Sequence, residues 1–350
     1  MTARERINFI GLPVLFTIVS IIIMLIYSAN KTVELTNVTL GESTVTESSA
    51  ATDLAKENKL LFSPASDNSN FLKIPLPDSI KTENILIENH YMDHELWIGE
   101  VGGTESFYTQ NIITGNYSQV QNGYVDTKGD TVYLKFKLNG FYEYKTILEN
   151  NYLYIQLLGP RELYQKIMVI DASCGGDNNG VVANGLKEKD LNLAICQKLK
   201  AKLDTTDIKV YYTRMDDSNP GLAKRVNLAN KTRADMMLCL GFSEDEDSSV
   251  YGLNCFYNDS YFIPGFGNIE LADVIEKTVA TNAKEKANGL FPIEDDNIVL
   301  KNSSVPTADI RLGYLTNPQE AALLERDEYQ ETLAESLYQA ILSAYEQLEQ

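Results

Sequence analysis

The chain has 350 residues, long enough for two domains, with 30 Lys and Arg against 49 Asp and Glu, a formal net charge of -19. Such an acidic chain lacks the basic surface that neutralises phosphates, so nucleic acid is excluded as a partner. The same charge excludes adhesion to anionic lipid or other anionic polymers by charge alone.

The first element is an apolar segment near the N-terminus. Residues Ile7 to Asn30 carry no charge, and Ile7 to Tyr27 are almost wholly apolar, which is long enough to span a bilayer as a helix. Arg4 and Arg6 precede it, so the positive-inside rule predicts a cytoplasmic N-terminus. We therefore predict residues 1–30 to be a cytoplasmic tip and a transmembrane anchor through residues 7–27. The expected location is the cell membrane, single-pass, with the later domains extracytoplasmic. A cleaved signal peptide is the alternative, but the apolar run is long for one.

Two regions of different composition follow the apolar segment. Residues 31–70 are rich in Ser, Thr, Asn and acidic residues, which predicts a flexible linker. Residues 71–162 contain short runs of β-branched and aromatic residues separated by turn signals, which predicts a small antiparallel β domain. Trp97 and many tyrosines fall in it. They would form either a packed core or a surface that stacks on glycans.

From residue 163 to residue 350, strands alternate with helices of ten or more residues. This alternation predicts an α/β domain with a mostly parallel sheet and helices on both faces. The predicted strands are Ile167–Asp171, Ile208–Thr213, Met236–Leu240, Tyr251–Tyr257, Asn297–Leu300 and Ala308–Leu315. The predicted helices are Glu188–Leu203, Leu222–Thr232, Ile269–Ala287 and about Gln319–Leu348.

A loop and five further motifs follow one another in this region. They are the loop Asp171-Ala172-Ser173-Cys174-Gly175-Gly176, the helix opening Glu188-Lys189-Asp190-Leu191-Asn192-Leu193, the strand Val210-Tyr211-Tyr212-Thr213-Arg214, the helix with Leu222, Arg225, Ala229 and Asn230, the strand Ala234-Asp235-Met236-Met237-Leu238-Cys239-Leu240-Gly241, and the closing segment Asn302 to Asn317. In this order they resemble the zinc-dependent N-acetylmuramoyl-L-alanine amidases of bacterial cell walls, whose loop reads Asp-x-Gly-His-Gly-Gly. The resemblance covers the whole C-terminal half.

The resemblance also implies where a zinc site would be. In that family, His, Glu and His hold a zinc ion that activates water, and a second Glu acts as general base. The matching positions here are Cys174, Glu188, Gly241 and Arg311, so only the ligand Glu188 is retained. The resemblance therefore implies no intact catalytic set, with Arg311 at the general-base position. No cofactor is expected.

Three arrangements of these residues are compatible with the sequence. Cys174, Glu188 and Cys239 could form an altered zinc site, because Cys239 and Gly241 point to the same face of a strand. Cys174 and Cys239 could instead form a disulfide or remain free thiols. Finally, Arg311 could replace the positive charge of the metal, and we predict that it forms an ion pair with Glu188. The alternative is that both side chains face solvent.

Three functions follow from the resemblance. The preferred one is a non-catalytic, membrane-anchored envelope protein whose amidase-like domain binds peptidoglycan or regulates wall remodelling. The second is an active amidase that hydrolyses the muramic acid–L-alanine amide with an altered metal site. The third is an envelope interaction scaffold without glycan binding. The expected partners are peptidoglycan or other envelope proteins, and the membrane through residues 7–27.

Overall fold

The computed structural model describes residues 58–64, 70–293 and 297–349. The predicted membrane anchor, and the linker as far as residue 57, lie outside these residues. No helix in the described part of the chain is long and apolar enough to cross a membrane.

The N-terminal part of the described chain, here called the β region (residues 58–158), consists of two sheets. Its strands are β1 (Phe62–Ser63), β2 (Leu72–Pro75), β3 (Ile85–His90), β4 (Glu95–Val101), β5 (Ile113–Gly115), β6 (Val120–Lys128), β7 (Thr131–Leu138), β8 (Glu143–Glu149) and β9 (Tyr152–Leu158), with helix α1 (Glu105–Gln110) after β4. The sheets have the strand orders β1-β5-β2-β9-β8 and β3-β4-β7-β6. Buried and less buried residues alternate along β7 and β9, as the predicted antiparallel strands require.

The linker boundary predicted at residue 70 is wrong. Strand β1 pairs in parallel with β5, and Leu60, just before it, is buried and donates its backbone N–H to the carbonyl of Gly123. The apolar run Leu60-Leu61-Phe62 is too short to stand out in a composition-based reading. Long-range pairing with β5 and β6, which composition does not show, places it in the fold.

The α/β region (residues 166–349) follows a short helix α2 (Pro160–Leu163). Its elements are β10 (Lys166–Ala172), β11 (Val182–Ala183), β12 (Leu186–Lys187), α3 (Glu188–Leu203), β13 (Ile208–Tyr212), α4 (Leu222–Thr232), β14 (Met236–Ser243), β15 (Leu253–Tyr257), α5 (Asn268–Ala283), β16 (Ala287–Pro292), α6 (Ile298–Asn302), β17 (Thr307–Tyr314), α7 (Pro318–Leu324) and α8 (Asp327–Leu348). Its main sheet has the order β13-β10-β14-β17-β15-β16. Only β15 and β17 pair antiparallel among the described neighbours in this sheet, so the predicted α/β fold is confirmed.

Both faces of this sheet are covered. Apolar side chains of α3, α5 and α8 pack on one face in a single core with Met168, Leu238 and Ile310. Side chains of α4 and α6 pack on the other face with Ile167 and Met237. Central strand β14 is therefore buried from Met236 to Phe242, as expected of a strand between two helical layers.

Three predicted elements differ from the structure. Residues 297–300 begin helix α6 rather than forming a strand, because the Asn297 side chain accepts the backbone N–H of Leu300 as an N-cap. Strand β16 was missed, since it is a sheet-edge strand with an exposed and half-buried pattern. The predicted C-terminal helix is divided into α7 and α8, with Arg326 as the N-cap residue of α8.

A polar cluster joins the β region to the α/β region. The Glu143 Oε1 atom on β8 accepts hydrogen bonds from the hydroxyls of Tyr211 at 2.6 Å and Tyr91 at 2.9 Å. Lys209 Nζ lies 3.0 Å from the same oxygen. Phe141 of the β region is buried in the core beneath α4 and α6. The described residues between 58 and 349 accordingly form one compact unit.

Candidate functional site

The loop after β10 is held in place by buried charged side chains. Asp171 Oδ1 accepts hydrogen bonds of 2.5 Å from both Arg225 Nη1 and Thr213 Oγ1. Arg225 Nη2 also donates to the carbonyl of Cys174 at 2.9 Å, and Arg214 donates to the carbonyl of Ala172 at 2.7 Å. Since bonds to charged partners are stronger than neutral ones, these contacts fix the loop relative to the sheet.

The loop itself turns through left-handed backbone. Cys174 has a φ of 67° and Gly175 a φ of 131°. A Cβ on Gly175 would lie 2.2 Å from the carbonyl oxygen of Ser218, so only glycine fits there. The turn places Cys174, half-buried, beside the start of α3. Burial and the charge of Glu188 there raise the pKa of the Cys174 thiol.

Glu188, the first residue of α3, is buried with both carboxylate oxygens engaged. Its side chain is 4% exposed. Oε2 accepts the backbone N–H of Val181 at 2.9 Å. Oε1 accepts the backbone N–H of Phe242 at 3.0 Å and Arg311 Nη1 at 3.1 Å. The predicted ion pair between Glu188 and Arg311 is therefore confirmed.

Arg311, on β17, bridges two buried carboxylates. In addition to Glu188, its guanidinium contacts Asp309 Oδ2 at 2.8 Å through Nη2, and Nη1 donates to the carbonyl of Phe242 at 3.0 Å. Burial raises the pKa of Asp309, and the neighbouring guanidinium opposes that rise. Asp309 and Glu188 together raise the pKa of Arg311 despite its burial, so the guanidinium stays charged. Glu188, Arg311 and Asp309 are called the Glu188 cluster below.

Gly241 provides the space that the Arg311 side chain occupies. A Cβ at this position would lie 2.7 Å from Arg311 Nη1 and 3.0 Å from Glu188 Oε1. Real Cβ atoms do not approach other atoms this closely. Gly241 and Arg311 are also register partners on adjacent strands β14 and β17. The Arg311 guanidinium can therefore lie here because residue 241 has no side chain.

The cysteines do not form either of the bonded arrangements considered from the sequence. All four thiols are free, so the Cys174–Cys239 disulfide is wrong. Cys239 is buried on β14 between its register partners Asp171 and Asp309. No group of three His, Cys, Asp or Glu side chains within the described residues is placed to hold a metal, so the Cys174, Glu188 and Cys239 set is not assembled.

The structure thus brings Glu188, Gly241 and Arg311 into direct contact with Cys174 beside them, as the sequence positions implied. Sequence reasoning missed Asp309. Its signal was available, because Asp309 and Arg311 are two residues apart on a strand and therefore share a face. The backbone donors of Val181 and Phe242 carried no such signal.

Comparison with known proteins places this geometry in a family. A family model described as N-acetylmuramoyl-L-alanine amidase matches residues 168–343, half of the chain. The chain belongs to this family. It is 30% identical over 182 residues to YqiI of Bacillus subtilis, covering 52% of this chain and 86% of YqiI. It is 27% identical over 176 residues to the N-acetylmuramoyl-L-alanine amidase LytC of Bacillus subtilis, covering 50% of this chain and 35% of LytC.

Solved amidases give similar matches. An N-acetylmuramoyl-L-alanine amidase from Clostridium difficile 630 is 30% identical, with a TM-score of 0.48, covering 52% of this chain and 97% of that one. The family match begins inside β10 and ends inside α8. The amidase-family domain is therefore the α/β region, and the β region lies outside the match.

Proposed function

We propose that this protein is a membrane-anchored, extracytoplasmic member of the amidase family that does not hydrolyse peptidoglycan and instead binds it or regulates its remodelling. The observation that carries the proposal is the Glu188–Arg311 ion pair at 3.1 Å. It joins the one retained ligand position to the general-base position.

The residues present do not fit a zinc ion. Gly241 has no donor atom, and Glu188 already accepts two backbone N–H groups and a guanidinium. Burial and the neighbouring Glu188 raise the pKa of the Cys174 thiol to about 11, so without a metal ion it is protonated near neutral pH. The charged Arg311 guanidinium would also repel a cation beside Glu188.

The general-base step also lacks a group to perform it. A base must accept a proton from water at neutral pH, and a guanidinium, whose pKa here is raised further, cannot do so. The described histidines, His90 and His94, belong to the β region and do not contact the Glu188 cluster. We therefore propose that this chain has no route to amide hydrolysis through the site that the family uses.

A role in binding is supported by what the site retains. The loop held by Arg225 and Arg214, the buried sheet and the helix opening at Glu188 keep the family's framework. LytC, to which this domain is similar, is named as an N-acetylmuramoyl-L-alanine amidase, so peptidoglycan is the ligand we propose. The apolar segment 7–27, with Arg4 and Arg6 before it, supports anchoring with the domain outside.

Two assays on the purified full chain test this function. First, incubation with muropeptides should release no stem peptide, with LytC as the positive control. Hydrolysis that Glu188→Ala abolishes would instead establish an active amidase with an altered site. Second, the chain should sediment with purified wall sacculi. If the chain neither hydrolyses muropeptides nor sediments with sacculi, the result favours the third function, an interaction scaffold without glycan binding.

A further inference from the structure

A cavity of about 320 Å³ lies where the β region meets the C-terminal end of α4. The β region contributes His94, Phe141 and Tyr142, and the end of α4 contributes Lys231, Thr232 and Arg233. None of its lining residues belongs to the Glu188 cluster. A volume of this size is at the lower end of the range for small-molecule sites, enough for one sugar ring.

The charge of this cavity is opposite to that of the chain. The lining includes one lysine and one arginine and no carboxylate, although acidic residues outnumber basic ones by 49 to 30 overall. Of the carboxylates nearby, Asp93 pairs with Lys224 at 2.8 Å, whereas Glu162 accepts the backbone N–H of Gly159 and keeps its negative charge. The two cations therefore have no counter-charge in the lining.

These cations are not used to cap the helix. The carbonyls of Leu228 and Ala229 near the end of α4 accept from other donors: Thr232 Oγ1 donates to Leu228, and the backbone N–H groups of Arg233 and Ala234 donate to Ala229. Neither the Lys231 ammonium nor the Arg233 guanidinium makes a hydrogen bond or ion pair with another described residue. Both charges remain available to a ligand.

The opposite wall suits the uncharged part of a ligand. Phe141 is buried, and the His94 ring packs edge-on against it with centroids 4.4 Å apart. The imidazole has no hydrogen-bond partner among the described residues. Burial and the nearby Lys137 and Lys224 lower the pKa of His94, so it is a neutral donor or acceptor. Tyr142 is held by donating its hydroxyl to Asn139 at 2.7 Å.

We propose that this junction cavity binds an anionic ligand the size of one sugar, with a carboxylate or phosphate between Lys231 and Arg233 and its ring or chain against Phe141 and His94. Both cations are exposed, so the affinity is modest and falls with added salt. The proposal is independent of hydrolysis at Glu188. It gives the β region a role, since the region supplies one wall of the site.

Calorimetric titration of the full chain tests the proposal. N-acetylmuramic acid is the probe with a carboxylate, and glycerol phosphate is the probe with a phosphate. N-acetylglucosamine is the uncharged control for N-acetylmuramic acid. We expect at least one anionic probe to bind with a Kd of about 1 mM or tighter and the neutral sugar to bind at least about tenfold more weakly. Which anionic probe binds identifies the source of the charge.

Variants locate the binding. The double variant Lys231→Gln with Arg233→Gln should weaken binding of the anionic probe by about tenfold or more. Lys145→Gln, at an exposed position on β8, should leave that binding unchanged. Unfolding curves of the double variant show that it is folded. The proposal is overturned if no anionic probe binds, if N-acetylglucosamine binds equally well, or if the double variant binds like the unchanged chain.

Discussion

Replacing Arg311 by Met should destabilise the fold in a pH-dependent way. The substitution keeps most of the apolar stem but removes the charge that Glu188 and Asp309 share. Both carboxylate side chains are 4% exposed. Glu188 keeps its bonds from the backbone of Val181 and Phe242. Asp309 has Arg311 as its side-chain partner, and its Oδ1 atom has none. Asp309 therefore bears most of the loss.

The expected loss is about 3 kcal/mol in the free energy of unfolding at pH 8, the lower end for removing one partner of a buried pair. Burial already raises the Asp309 pKa, and without the guanidinium nothing opposes that rise. The folded variant then binds a proton more tightly than the unfolded chain, so its stability is highest at low pH and is lost as pH rises through the folded pKa. The deficit relative to the unchanged chain should shrink at pH 5.

Urea unfolding at pH 5 and pH 8, followed by circular dichroism, measures both effects. Arg326→Met is the matched control, because Arg326 is exposed and lies 3.9 Å from Glu328, a contact worth under about 1 kcal/mol. Adding Asp309→Asn to Arg311→Met should restore part of the stability at pH 8. The reasoning is refuted if Arg311→Met costs no more than the control, or if its deficit is equal at the two pH values.

Three further substitutions test other contacts by urea unfolding. Gly241→Ala should cost about 1–3 kcal/mol by overpacking, because the new Cβ would lie 2.7 Å from Arg311 Nη1; an equal cost in the Arg311→Met background would contradict this cause. Burial raises the pKa of Glu100 to about 7, so the free energy of unfolding should fall from pH 4.5 to 7. Glu100→Gln should remove that fall, and parallel pH profiles of the variant and the unchanged chain would contradict it. Glu143→Ala should cost about 3 kcal/mol, because the Lys209 ammonium and the Tyr211 hydroxyl lose their acceptor. A loss within about 0.5 kcal/mol, typical of surface positions, would show that Glu143 does not hold the β region to the α/β region.

The fold was largely predictable because its main signals are periodic. Alternation of strands and helices identified the α/β region, and the buried runs of β10 and β14 marked its centre. Elements whose stability depends on one contact were not predictable. Residues 297–300 form a helix through the Asn297 cap. Leu60 bonds to Gly123 on β6, and Phe62 and Ser63 pair with β5, so this segment is placed only by distant residues.

The site was predictable in part, because its residues were identified by position in a motif. The resemblance selected Cys174, Glu188, Gly241 and Arg311, and charge alone then predicted the ion pair. Asp309 was not selected, since it is not one of the zinc-site positions carried over from the family. The junction cavity could not have been predicted, because it forms from turns of the β region and the end of α4, whose packing no local pattern encodes.

Zinc content tests the central claim most directly. The full chain, incubated with one equivalent of zinc and desalted, should retain under about 0.1 zinc per chain, whereas a chain with three protein ligands should retain about one. The triple variant Cys174→His, Gly241→His and Arg311→Glu removes the guanidinium and restores the donors, and it should gain zinc. Stoichiometric zinc in the unchanged chain would contradict the claim that Arg311 has taken the place of the metal beside Glu188.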